Sequence, residues 1–186
     1  MMSLGTSKTA YGVTVTNLPP VTLVLGGARS GKSRFAEQLL DREPRNRVYL
    51  ATAEILDDEM AERVRHHRTQ RGDAWRTVEA PLDIAAVLTE TTDKGDAVLV
   101  DCLTLWLSNL MGAQRDIEVE TAQLIAALPQ LGGPVVFVAN EVGLGIVPDN
   151  ALARAFRDQA GRLNQRLAAA ADQVFFIAAG LPLKLK

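Results

Sequence analysis

The run Gly26-Gly27-Ala28-Arg29-Ser30-Gly31-Lys32-Ser33 constrains this chain more than any other stretch. It follows an apolar segment, Val21-Thr22-Leu23-Val24-Leu25. It leads into Arg34 to Asp41, where Phe35, Ala36, Leu39 and Leu40 recur at helical spacing. A strand, a loop and a helix are predicted in that order. Gly26 and Gly31, with four residues between them and followed by lysine and serine, let successive backbone N–H groups turn inward around phosphate oxygens. Lys32 would then reach the β- and γ-phosphates and Ser33 would offer its hydroxyl to Mg²⁺. The helix beginning at Lys32 adds the positive end of its dipole. The plainer alternative is a glycine turn between strand and helix. The motif predicts a nucleotide site and leaves the reaction open.

At 186 residues the chain holds one core and is too short for two ordinary domains. Its formal net charge of −2 attracts no polyanion in bulk, so no nucleic-acid partner is expected. The apolar runs are strand length, and none spans a bilayer. Residues 1–20 lack the pattern of a secretory signal and read as a flexible extension ending at Pro19-Pro20, with a single domain over 21–186. Cys102 is the sole cysteine, which excludes an internal disulfide and suggests a reducing, cytoplasmic setting. With His66 and His67 the only histidines, a cysteine and histidine zinc site is not expected. The metal to expect is Mg²⁺ arriving with the nucleotide.

Apolar runs at Val48-Tyr49-Leu50-Ala51, Ala97-Val98-Leu99-Val100-Asp101, Val135 to Ala139 and Val174 to Ala178 read as buried strands, with Arg76 to Glu79 a shorter one. Helical spacing recurs over Leu56 to Gln70, Pro81 to Leu88, Leu103 to Met111, Ile117 to Leu128 and Asn150 to Ala171. In the last of these the apolar stripe is Leu152, Phe156, Leu163 and Leu167. Trp106 reads as core. Pro182 to Lys186 reads as a short edge strand. Strands alternating with helices predict an α/β, three-layer sandwich of the phosphate-loop NTPase type, its sheet mainly parallel with a short antiparallel edge strand. Asp101 closes its strand with a carboxylate, which either holds the Mg²⁺ shell or caps the helix near Leu103. Asn140 to Pro148 leaves a strand as a glycine-bearing loop, the position at which open α/β sheets bind ligands.

The adjacent pair His66-His67 narrows the chemistry. Neighbours on a helix point about 100° apart, so one pocket takes one of them as its principal group. His67 continues the stripe of Met60 and Val64, and His66 lies off it. The bland reading packs His67 and solvates His66. The sharper one makes an imidazole, neutral near pH 7, the nucleophile on the α-phosphorus of a nucleoside triphosphate.

Four segments, Gly26 to Ser33, Ile55-Leu56-Asp57-Asp58-Glu59-Met60 leading to His66-His67, Asn140 to Pro148, and Ala153 to Gln165, resemble in collinear order the bifunctional adenosylcobinamide kinase/adenosylcobinamide-phosphate guanylyltransferase family of cobalamin biosynthesis. The resemblance implies two reactions. ATP or GTP phosphorylates the aminopropanol hydroxyl of adenosylcobinamide, and GTP then guanylylates the protein, which passes GMP to adenosylcobinamide phosphate. It implies that His66 is the guanylylated nucleophile and Lys32 its catalytic partner. The implied nucleotide contacts fall on Leu25, Gly26, Gly27, Ala28, Arg29, Ser30, Gly31, Lys32 and Ser33, on Leu50, Ala51 and Thr52, on His67, Arg68, Thr69 and Gln70, and on Glu79 and Asp101. Ser33 and Asp101 are the implied Mg²⁺ ligands. Residues 1–20 have no counterpart in the family pattern, and a homotrimer is implied by resemblance alone. The competing functions are a small-molecule kinase without guanylyl transfer and a GTP-controlled binding module.

Overall fold

A computed structural model describes residues 18–41, 43, 45–53, 74–92 and 95–186. In chain order the elements are β1 (Val21–Gly26), α1 (Lys32–Leu40), β2 (Arg47–Ala51), β3 (Trp75–Glu79), α2 (Ile84–Thr92), β4 (Ala97–Asp101), α3 (Leu103–Gly112), α4 (Ile117–Ala127), a 3₁₀ turn (Leu128–Gln130), β5 (Val135–Asn140), α5 (Ala151–Ala170), β6 (Gln173–Ala178) and β7 (Leu181–Lys184). The helix expected over Leu56 to Gln70 lies outside the described residues.

The strands form one sheet ordered β3-β2-β4-β5-β1-β6-β7. All neighbours are parallel except β6 and β7. Central strands buried on both faces need apolar residues at nearly every position, which is why the buried positions of β4 and β5 are all apolar and those of β1 are interrupted only by Thr22. Val21, Leu23, Leu25, Val98, Val100, Val135 and Phe137 face a core closed by α2 to α5. Val24, Leu99, Val136, Val138 and Phe175 face α1 through Phe35, Ala36, Leu39 and Leu40. Trp106 is fully buried in the first core, with its indole N–H donating to Leu82 O at 2.6 Å.

Three features differ from expectation for identifiable reasons. The helix expected at Pro81 begins at Ile84 and runs to Thr92. The carbonyls of Pro81 and Leu82 accept side-chain bonds from Asn109 and Trp106, which holds these residues out of the helix. In α5, Leu152 is 71% exposed, whereas Leu163 and Leu167 are buried. Asn164 donates to Asn140 O at the carboxyl end of β5, so the first turn of α5 runs past the sheet edge; Phe156 and Ala160 pack on the core and Leu152 does not. The edge strand starts at Leu181. A two-residue hairpin turn, Ala179-Gly180, precedes it with positive φ at both positions, the type I′ pattern that matches strand twist. The C-terminus of α5 carries no glycine. Lys186 Nζ instead donates to the carbonyls of Ala168, Ala169 and Ala171, where a cation suits the helix dipole.

Candidate active site

The loop from Gly26 to Lys32 turns tightly at the carboxyl end of β1. Ser30 N donates to Gly27 O at 3.3 Å, and Gly31 reaches φ +94° as it hands the chain into α1. Arg29 also sits at positive φ, with its side chain exposed. A Cβ on Gly26 would lie 2.5 Å from Ser30 Oγ and 2.7 Å from Ile177 O, so only glycine fits between the loop and β6. Two outside bonds frame the loop. Gly180 N, in the β6–β7 turn, donates to Ser30 O at 2.9 Å, and Glu141 N donates to Gly26 O at 3.0 Å.

Lys32 is buried at 9% exposure, and its ammonium donates to Gly27 O at 3.1 Å, folded back across the loop it belongs to. Ser33 follows it, half-buried in the first turn of α1. On β4, Ala97 and Leu99 pack in the α1 core, so by strand alternation Asp101 falls on the same side of the sheet as Lys32 and Ser33. The N-cap of α3 is Cys102, without a side-chain cap bond, so Asp101 does not cap that helix.

The far end of the site is built on β2 and β3. Ala51 is in register with Glu79 on one side and with Asp101 on the other, which brings these three positions level at the carboxyl edge. Leu50 is fully buried one step below. Thr52 accepts Cys102 N at 2.8 Å and donates through its hydroxyl to Cys102 O at 2.7 Å. Asn109 of α3 donates to Thr52 O at 2.7 Å and to Pro81 O at 3.0 Å. The exits of β2 and β3 are thereby fastened to one helix. From β3 to β1 the sheet order spans four interstrand spacings, about 19 Å. An extended ligand is needed to join Glu79 to the phosphate loop. His66, His67, Arg68, Thr69 and Gln70 lie outside the described residues.

Sequence reasoning left out three residues at this edge. β5 is inserted between β1 and β4, and therefore carries Asn140 and Glu141 between the phosphate loop and Asp101. Asn109 is the third. The Asn140 to Pro148 loop gave a signal of the first two through its glycines at a strand's carboxyl end. Asn109 gave none, since an amide inside an apolar helical run has no spacing signature.

Burial, followed by the negative charge of Asp101, pushes the Cys102 thiol from its ordinary 9.0 up to about 11. It is 7% exposed and inert as a nucleophile at neutral pH. The sign follows from proton binding. Between about pH 9 and 11 the folded thiol keeps its proton while the unfolded one loses it, so the unfolded state gains and stability falls as pH rises. Iodoacetamide at pH 8 should leave the native protein unmodified and label Cys102 in urea. Cys102→Ser should remove the thiol's share of the alkaline loss of Tm.

A mostly parallel sheet with helices on both faces, and a Gly26 to Ser33 loop at the carboxyl end of a central strand, define a phosphate-loop α/β nucleotide-binding protein. The fold matches an ATPase from the type III secretion system of pathogenic bacteria, with a TM-score of 0.57 at 11% identity, over 92% of this chain and 58% of that one. Residues 22–185 match the family described as cobinamide kinase / cobinamide phosphate guanyltransferase, and the chain belongs to that family. It is a bifunctional transferase of cobalamin biosynthesis. The bifunctional adenosylcobalamin biosynthesis protein CobU of Salmonella typhimurium (strain LT2) is 46% identical over 88% of this chain and 98% of its own length. The corresponding CobP of Pseudomonas aeruginosa (strain PAO1) is 46% identical over 88% of this chain and 96% of its own. Among the described residues no helix is long and apolar enough to cross a membrane.

Proposed function

We propose that one site runs both reactions with one orientation of the nucleotide. The backbone amides of Gly26 to Gly31 and the ammonium of Lys32 hold the β- and γ-phosphates, and the nucleoside end lies toward Thr52 and Glu79. In guanylyl transfer the imidazole of His66 attacks the α-phosphorus as pyrophosphate leaves. A phosphate oxygen of adenosylcobinamide phosphate then takes GMP from the histidine. Splitting the transfer lets the P-loop discharge pyrophosphate before the second substrate reacts. The observation that carries this reading is the level row of Glu79, Ala51 and Asp101, set across the sheet from Lys32 on one carboxyl edge.

The oxygen donors at hand, the Ser33 hydroxyl and the Asp101 carboxylate on one side of the sheet, suit a hard cation such as Mg²⁺. These two residues would hold it, and it would supply neutralisation of phosphate charge. His67 to Gln70 would add further nucleotide contacts. Residues 21–186 form the single catalytic domain, preceded by an extension over 1–20. The single buried cysteine agrees with a reducing, cytoplasmic setting. For a homotrimer the support is the start of α5. Its exposed Leu152, with Met111 and Phe156, borders an apolar cavity of about 610 Å³, and Leu152 packs on no core of its own chain.

The test is incubation with Mg²⁺ and GTP labelled separately at the α- and γ-phosphates, followed by denaturation. Retained α-label, labile to acid and stable to base, is the expected result. Absence of label under conditions where GTP binds would leave a kinase without the covalent step.

A further inference from the structure

A cleft of about 420 Å³ opens beside the phosphate loop, between the carboxyl ends of β5 and β6. One wall is the outer turn of the loop, Gly27 to Ser30. The other is formed by Phe176, Ala178 and Ala179 at the end of β6, with Glu141 and Leu144 at the end of β5. Sheet order fixes its position, since β5 and β6 are the two neighbours of β1. We infer that this cleft receives the hydroxyl-bearing arm of the phosphoryl acceptor, with Glu141 as the group that orients the hydroxyl and takes its proton.

The inference rests on the nucleotide orientation proposed above. With the nucleoside toward β2 and β3 and the loop on β1 gripping the β-phosphate, the phosphate chain points across β4 and β5 toward β6. The terminal phosphate then ends on the side where the cleft lies. The acceptor of that phosphate must approach from there.

The lining has the chemistry of an alcohol on a bulky apolar body. Glu141 Oε1 accepts Gly143 N at 2.5 Å, which fixes the carboxylate, and Oε2 carries no hydrogen bond among the described residues. Ser30 lines the cleft, and its buried Oγ has no hydrogen-bond partner. Beyond the mouth, Leu144, Ile146 and Val147 are 82%, 97% and 62% exposed, an apolar surface against which the body of a large substrate can rest. In the reaction the acceptor oxygen bonds to the γ-phosphorus as the bond from that phosphorus to the β–γ bridging oxygen breaks. The nucleoside diphosphate leaves with the electron pair, and the hydroxyl proton passes to Glu141.

The two half-reactions separate this site from the nucleotide site, because self-guanylylation needs no acceptor. Glu141→Gln should lower kinase kcat by about 100-fold, the scale of a lost general base. Ala178→Trp, which fills the cleft from β6, should raise the KM for adenosylcobinamide by about tenfold while the KM for the nucleotide moves less than about threefold. Both variants should retain the wild-type rate of labelling from α-labelled GTP to within about threefold. A rise in nucleotide KM, or a parallel fall in self-labelling, would make the cleft a nucleoside pocket and overturn the inference. Unchanged acceptor KM and kcat in folded variants would overturn it as well. If the wild-type protein takes up no label, the covalent reading fails separately, and the contrast between acceptor and nucleotide KM in the kinase assay still decides this one.

Discussion

His66→Ala should abolish transfer of GMP, by at least about 10³-fold, and leave phosphorylation of adenosylcobinamide within about threefold of wild type. The separation follows from where the two chemistries draw their groups. In the scheme proposed above, phosphoryl transfer draws on Lys32 and Ser33 of α1, Asp101 of β4 and Glu141 just past β5, and needs no covalent intermediate on the protein. Guanylyl transfer adds a nucleophile, and His66 and His67 are the only imidazoles in the chain. His67→Ala is the paired control. It should keep the covalent label and raise the KM for GTP. If label is lost in His67→Ala and kept in His66→Ala, the assignment is reversed. If both activities fall together in His66→Ala, the histidine serves nucleotide binding common to both steps.

The sheet was readable in advance because burial on both faces writes itself as continuous apolar runs. Val135 to Ala139 and Ala97 to Val100 have no other economical explanation, and their partners in the sheet, β1, β2 and β6, read in the same way. The phosphate loop was equally plain, since its spacing follows from backbone geometry within eight residues. Strand order was a different matter. Nothing local distinguishes a sheet with β5 beside β1 from one with β4 there, and that choice decides whether Asn140 and Glu141 stand at the site. Side-chain fastenings such as Asn109 to Thr52 and Pro81 escape sequence reading for the same reason, as their partners are 57 and 28 residues away. The exposure of Leu152 has a different cause. Periodicity reports which face of a helix is apolar, but not how far the helix extends past the core, so Leu152 was counted with Leu163 and Leu167.

Lys32→Met should lower both kinase and guanylyl-transfer rates by about 10³-fold, since in the proposed scheme both routes develop charge on phosphates held by this ammonium. Its effect on the fold should be small, and the reason lies in the ground state. A cation in the first turn of α1 stands at the positive end of the helix dipole, an arrangement that costs about 0.3–1 kcal/mol when no anion is present. It is also nearly buried, with a loop carbonyl, Gly27 O, among its partners. Methionine keeps the length of the stem and removes the charge, so the Tm of the nucleotide-free protein should hold or rise slightly. The stabilisation that GTP gives the wild type should largely vanish in the variant, because ligand stabilisation scales with the logarithm of ligand concentration over Kd. A thermal shift series with GTP, run beside the two activity assays, reads all three quantities. A Tm drop of many degrees in nucleotide-free Lys32→Met would instead mean that the ammonium holds the loop together through Gly27 O, and the activity losses would then report a collapsed loop.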